Sequence, residues 1–297
     1  YLLFFPAVTM GPLFDFGTFR AGLAAPPDTK RRADAVCRLA RGLVRKFVFA
    51  DPLLAAYRDL AMHGTTLGAA VTLVTFSLYL YFDFAGYSDI AVAVGGIFGF
   101  DLPENFDYPY VSRSVGEFFR RWHATLGKWL FRHVYLPLGG SRQGRARTLL
   151  SLAAVWLCTA LWHGATACYL LWGVYFFVLL AVEKLCFPKD FRIGILPTLL
   201  LVLPGWVFFF SDGFAAASDF FGRLFCLGGT LLYSTCTVRR EENEDVARTF
   251  LLAHPEFSPE PFAVPAGLDL KNEGYATVLP QKHAADGFFI CKLRRHA

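Results

Sequence analysis

Apolar residues run through the first three quarters of the chain in blocks separated by basic stretches. Residues 1–8 (YLLFFPAV) read as the end of a membrane span or an interfacial segment. Residues 30–46 (KRRADAVCRLARGLVRK) set seven Lys/Arg beside Val36, Leu39, Leu43 and Val44. That pattern predicts an amphipathic surface helix. Residues 67–82 form the first strong apolar span. Residues 84–100 continue it with Gly86, Ser88, Gly95, Gly96 and Gly99, small side chains that let helices approach closely. From 113 to 135 apolar residues recur every three or four positions (Val115, Phe118, Phe119, Trp122, Leu126, Trp129, Leu130, Val134) opposite Arg120, Arg121, Lys128 and Arg132. This is helical periodicity on a basic amphipathic element. Residues 149–161 and 167–182 are apolar around Trp162-His163-Gly164-Ala165-Thr166. Residues 193–210 form a further hydrophobic stretch, bent or broken near Pro197 and Pro204.

Basic clusters at 30–46, 113–147 and, more weakly, 184–192 face the cytoplasm by the positive-inside tendency. Between the last two clusters the chain leaves and returns. Residues 149–182 therefore fold as a hairpin of two legs, each about 25 Å long at 1.5 Å per residue. His163 lies toward the far end of that hairpin, and His123 near the cytoplasmic face.

Composition sharpens this picture. Of the 297 residues, 55% are hydrophobic, 17% aromatic and only 18% charged, with a mean hydropathy of +0.41. Soluble domains are nearer one quarter charged. A disordered, collagen-like or highly charged nucleic-acid-binding chain is excluded, and the aromatic content suits side chains at lipid and its interface. The average hides a step near residue 227. Residues 1–227 hold 21 basic and 15 acidic side chains, whereas the last 70 residues hold 8 and 9 and contain no long apolar run. The tail reads as a piece of a soluble α/β protein. Seven cysteines (Cys37, Cys158, Cys168, Cys186, Cys226, Cys236, Cys291) make no CxxC, so neither a disulfide framework nor a zinc ribbon is suggested. The chain opens at Tyr1 inside an apolar run, so a truncated amino terminus with further spans before it is expected.

Three groups of residues can carry chemistry. His163 is a titratable side chain inside an apolar hairpin, and intramembrane ionisable groups point to function. An imidazole can take a hydroxyl proton near neutral pH. Trp162 beside it could wall a site, and Gly164 would permit close approach. The same pattern suits a buried structural histidine bonded to a carbonyl. His123 follows Arg120-Arg121-Trp122, where the arginines could meet lipid head groups or an anionic donor such as a coenzyme phosphate, or simply lie solvated on an interfacial helix. Asp83, Asp89, Glu104 and Asp107 form the third group. Asp83 and Asp89 sit in or beside apolar sequence, where they could orient a histidine or pair with a buried arginine. No metal-ligand spacing appears, and HExxH, GxSxG, Walker and Rossmann fingerprints are absent.

The run YFDFAGYSDIAVAVGGIFGFDLPENFDYPYVSRSVGEFFRRWHATLGKWLFRHVYLPLGGSR, followed by LWHGATACYLLWGVY, resembles the membrane-bound O-acyltransferase family in its bacterial alginate O-acetyltransferase branch. FFPAVTMGPLFDFGTF at 4–19 and WVFFFSDGFAAASDFFGRLF at 206–225 extend the resemblance to about residues 1–225. This chain has Phe210-Ser211 where many members carry Arg after the aromatics. The teichoic-acid D-alanyl transfer branch shares the RWH element but usually lacks a PLGG run like 137–140. The resemblance implies an all-α multi-pass membrane protein in a bacterial inner (plasma) membrane. It implies a tunnel in which His163 matches the catalytic histidine and His123 the second position, with Arg120, Arg121, Trp122, Trp162 and Asp89 as candidates for holding donor or substrate. An acyl thioester such as acetyl-CoA would be the donor and a hydroxyl of an exported polysaccharide the acceptor. Accessory polysaccharide-acetylation proteins are implied as partners, and neither a bound cofactor, a metal nor a nucleic acid is.

The tail carries a second resemblance. GGTLLYSTCTVRREENEDVARTFLLAHPEF, then VLPQKHAADGFFICKLRR, is similar to the carboxyl end of ribosomal-RNA cytosine-C5 methyltransferases of the Sun/Fmu type, which have a Rossmann-like fold. LLYSTCTV at 231–238 suits a buried strand entering a loop, EENEDVARTFLLAH a helix and GFFICKL a last strand. The resemblance puts Cys236 in the place of the nucleophilic thiolate. No glycine-rich methyl-donor loop, acidic ribose binder or Pro-Cys motif precedes it, so a non-functional fragment is expected. Two parts are therefore predicted, 1–227 and 228–297, joined without a linker by a misassembled reading frame or a natural fusion. A sheet without its usual partners should have open edges and poor tertiary definition. A methyltransferase remnant fused to a membrane protein, and a non-catalytic membrane transporter or scaffold, are the competing readings.

Overall fold

The computed structural model describes residues 4, 6–7, 10–24, 29–60, 66–188, 191–225, 229–264, 273–283 and 286–295. Part of the amino-terminal apolar run, Cys226 and the expected junction at 226–228 lie outside the described residues. The chain divides into two compact units, Tyr1–Met62 with Val71–Ala217, and His63–Ala70 with Ser218–Ala297.

The first unit is helical. A short helix α1 (Phe16–Ala24) precedes α2 (Thr29–Val44). A π-helical turn at Arg45–Ala50 joins α2 to α3 (Asp51–Leu60). The longest helix, α4 (Thr66–Ile97), which belongs to this unit from Val71 onward, absorbs both apolar stretches that the sequence separates at Asp83. Its 32 residues measure about 48 Å at 1.5 Å per residue. An extended segment then leads to α5 (Val115–Arg121) and α6 (Ala124–Leu130), and a second π-helical turn follows at Phe131–Tyr135. The predicted hairpin is present as α7 (Gly144–His163) and α8 (Ala167–Cys186), 20 residues each. Gly164 ends α7 at φ 149°, and a Cβ there would stand 2.9 Å from the Tyr169 ring. The last apolar stretch is α9 (Ile195–Val202), a 3₁₀ turn at Leu203–Trp206 and α10 (Val207–Phe210). Pro197 sits in the first turn of α9, where its missing N–H costs nothing, and Pro204 lies at the start of the 3₁₀ turn.

Two features add to the sequence reading. Four of the six tryptophans lie in the interior. Trp122, Trp156, Trp172 and Trp206 are all buried, with Trp122–Trp206 at 4.9 Å and Trp156–Trp172 at 5.3 Å between ring centroids. Helix α2 is also turned over. Its Val36, Leu43 and Val44 are exposed, while Arg38, Arg41 and the following Arg45 point inward to Asp89 of α4. A carboxylate 3% exposed needs counter-charge, so the guanidinium face goes in and the apolar face is left outside. The two helices cross where Gly42 meets Gly86. A Cβ on Gly42 would lie 2.8 Å from Ile90 and 2.9 Å from the Gly86 carbonyl.

Outward-facing positions on the hairpin are apolar: Leu150, Leu157 and Leu161 on α7, and Val174, Val178 and Val182 on α8. By length and composition, α4 and α8 can each cross a bilayer. Helix α7 equals α8 in length but opens on Arg145 and Arg147.

The second unit holds α11 (Phe214–Leu224) in part, then β1 (Thr230–Thr235), α12 (Glu244–Ala253), β2 (Phe257–Pro259), β3 (Tyr275–Val278), a single turn α13 (Pro280–His283) and β4 (Phe288–Arg295). All pairing is antiparallel and centred on β4. Strand β1 takes one edge, from Thr230↔Arg294 to Thr235↔Phe289, while β3 and β2 share the other. Phe289, Cys291, Leu293 and Ala247 form the core, with Tyr233, Phe250 and Phe257 packed around them. Burial pushes the Cys291 thiol up to about 11. The expectation of poor tertiary definition is corrected by this sheet and core. The expectation of a buried first strand is corrected as well: Leu232 is 63% exposed, because only one face of β1 meets the core.

Candidate active site

The periodicity at 113–135 predicts one helix, but the structure breaks it at His123, which sits in the left-handed region at φ 46°, ψ 47°. That conformation costs a non-glycine residue about 1–2 kcal/mol. The segment before α5 holds it. The Asn105 carbonyl accepts the Ala124 N–H at 2.9 Å, and the Asp107 N–H donates to the Arg121 carbonyl at 3.0 Å. The Asn105 side-chain oxygen accepts from the Thr125 N–H at 3.3 Å and the Thr125 hydroxyl at 2.8 Å. It lies 2.9 Å from His123 Nδ1. The buried face continues across the break. Val115, Phe118, Trp122, Leu126 and Leu130 are buried, but Trp129 is 45% exposed.

A cavity of about 610 Å³ lies between α5–α6 and the α7–α8 hairpin. His123 and His163 both line it. On α7 the lining runs from Leu152 to His163, about 17 Å along the axis. On α8 it runs from Trp172 to Lys184, about 18 Å. The wall between is mostly apolar, with Phe119, Val155, Trp156 and Leu180, and Thr159 as a polar interruption. His163 stands in an aromatic frame, 5.2 Å from Trp172 and 5.0 Å from Phe209 between ring centroids. Among the described residues, no hydrogen bond reaches its ring nitrogens.

The opposite end is cationic. Lys184 donates to the Tyr135 hydroxyl at 2.6 Å, and Tyr135 also meets the Ser141 hydroxyl at 2.9 Å. Both oxygens of Glu183 accept the Gly116 N–H at 3.1 Å, which ties the end of α8 to the start of α5. Arg120 and Lys128 join Lys184 in the lining, all three are exposed, and no lining residue is a carboxylate.

The structure thus gathers His163, His123, Trp122 and Arg120 on one cavity and leaves three candidates outside it. Arg121 pairs with Glu117 at 2.8 Å. The Arg113 backbone N–H, reinforced by Arg121 and Arg192, holds the Glu117 carboxyl below its ordinary range. Trp162 is 58% exposed and does not line the cavity. Neighbouring helical residues point about 100° apart, so with His163 facing inward Trp162 faces out. Asp89 is enclosed by Arg38, Arg41 and Arg45 at 3.0, 3.0 and 2.5 Å, and Glu104 takes the other edge of Arg38. Of the other acids, Asp83 pairs with Lys46 at 2.7 Å. The sequence reading missed Lys184, Tyr135 and Asn105. Lys184 and Tyr135 lie far apart in sequence and meet only through the hairpin. Asn105 carries no periodic signal. In the second unit Cys236 is exposed just after β1. It lies in a loop that Asn243 braces, its side chain accepting from the Thr235 hydroxyl and donating to the Thr237 carbonyl at 2.9 Å.

Comparison with known proteins gives this geometry its family. The model described as the membrane-bound O-acyltransferase family (MBOAT) matches residues 1–189, and the chain belongs to that family. A second model, described as 16S rRNA methyltransferase RsmB/F, matches residues 222–294. The chain is 34% identical over 236 residues to a protein named probable alginate O-acetylase AlgI from Pseudomonas syringae pv. tomato, covering 77% of this chain and 46% of that one. It is 30% identical over 254 residues to the peptidoglycan O-acetyltransferase of Helicobacter pylori, 79% and 47% of the two chains. It is 26% identical over 194 residues to the teichoic acid D-alanyltransferase of Bacillus subtilis, 61% and 49%. The chain spans about half the length of the curated relatives it matches.

Proposed function

We propose that the first unit is the core of a multi-pass O-acyltransferase of a bacterial inner membrane. It moves an acyl group, acetyl by its likeness to the O-acetylating relatives, from a cytoplasmic thioester to a hydroxyl of an exported polysaccharide. The observation that carries this reading is that His163 and His123 line one largely apolar cavity, which Arg120, Lys128 and Lys184 also line, Lys184 at the end away from His163. Arg120, Lys128 and Lys184 suit the phosphates of an anionic donor such as a coenzyme thioester. The apolar wall suits the arm and acyl group, and excludes water that would otherwise hydrolyse the thioester.

In the reaction, one ring nitrogen of His163 takes the proton of the acceptor hydroxyl as its oxygen attacks the thioester carbonyl. The new C–O bond forms, the C–S bond breaks, and His163 returns the proton to the departing sulfur. Holding both substrates in one narrow space supplies much of the rate. We place the junction of the two parts at residue 227 and assign 228–297, including Cys236, no step in this transfer. Accessory proteins would present or receive the polysaccharide.

The test is transfer of labelled acetyl to polysaccharide by membranes containing the chain. His163→Ala is expected to lower transfer by about 10²–10⁴-fold, with membrane insertion unchanged. Transfer retained at the wild-type rate would refute the assignment.

A further inference from the structure

His123 and His163 share a cavity but not an environment. The Thr125 backbone N–H can only donate, so the Asn105 atom facing it at 3.3 Å is the carbonyl oxygen. The Thr125 hydroxyl agrees with this orientation: it accepts the Leu13 N–H at 3.0 Å and gives its own proton to the same oxygen at 2.8 Å. That oxygen accepts only, so His123 Nδ1, 2.9 Å away, must be the donor. A neutral imidazole carries one N–H, and with Nδ1 protonated Nε2 is left with a lone pair. Asn105 is 1% exposed and lies outside the cavity lining, whereas His123 is part of it.

We propose that Asn105 is a positioning residue that locks neutral His123 in the Nδ1–H form and so presents the Nε2 lone pair to the cavity. His123 then accepts a hydrogen bond from an O–H or N–H group of a substrate. It has no proton on that nitrogen to give to a departing sulfur, which leaves this step to His163. The division of roles rests on the acyl-transfer reading above, but the protonation pattern does not and is measured without substrate.

The experiment is ¹⁵N NMR of the whole chain, histidine-labelled in nanodiscs, with His123 assigned through His123→Gln. Wild type is expected to show protonated Nδ1 and unprotonated Nε2. Asn105→Asp keeps an acceptor and should keep that pattern. Asn105→Leu should lose it to a mixture of both forms. Thr125→Val removes a competing donor but not the acceptor, and should leave the pattern unchanged. A protonated Nε2 in neutral wild-type His123 overturns the proposal, as does loss of the pattern in Asn105→Asp or Thr125→Val, or its survival in Asn105→Leu. Should Asn105→Leu fail to fold, the wild-type protein and the other two variants still decide. Loss of acetyl transfer in His163→Ala is a separate outcome, so the two readings can fail independently.

Discussion

Single residues in this chain are decided by what a buried charge requires. Asp89 reads from the sequence as a possible substrate ligand or a partner for a buried arginine. Three guanidinium groups surround it, so removing its charge leaves cations stranded. Asp89→Ala is expected to cost about 3 kcal/mol or more, measured by thermal unfolding in detergent. Glu104→Gln, at a carboxylate 61% exposed, should cost under about 1 kcal/mol. Equal losses would contradict this account. His163 is legible because an imidazole inside an apolar run is conspicuous in the sequence itself. Only adjacency assigns Trp162 to the same site, and helix geometry turns it outward. Asn105 is not legible, since its role depends on a hydrogen bond to a residue 18 positions away.

At the scale of elements, periodicity reveals which stretches are helical but not which face looks inward. For α2 the ordinary rule is reversed, because its arginines serve a buried acid and its apolar residues face outward. The crossing of α2 and α4 depends on Gly42 and Gly86 lying backbone to backbone. Gly42→Leu should separate them and cost about 1–3 kcal/mol, again read by thermal unfolding. A neutral result would show that the helices do not meet there. The break at His123 is also hidden, because an amphipathic pattern runs through it unchanged while the hydrogen bonds of Asn105 and Asp107 interrupt the helix. In the second unit the strands at 231–238 and 287–293 can be read from β-branched and aromatic content, but the sheet order cannot. Strand β4 is central, so Leu293→Ala should cost about 2–5 kcal/mol. At exposed Leu232 the same substitution should change stability by less than about 0.5 kcal/mol. Hydrogen exchange of the β4 amides checks both, and similar protection in the two variants would contradict the observed pairing.

For the whole molecule, the charge density rises in a step near residue 227. The two family matches end and begin on the approach to that region, at 189 and 222, and the compact units change over at Ala217–Ser218, although the second unit also takes in His63–Ala70. The first unit exposes apolar side chains on α2, α7 and α8 and gathers His123 and His163 on an internal cavity. Its central property is one cavity that joins a cationic end to His163. Cysteine accessibility tests it most directly. With the native cysteines replaced, His163→Cys should react with a small anionic, membrane-impermeant thiol reagent applied to the cytoplasmic face of inside-out vesicles. Thr159→Trp, which fills the lining between, should block that reaction. A thiol at 163 that reacts only from the opposite face, or a reaction indifferent to the Thr159→Trp plug, would contradict the account.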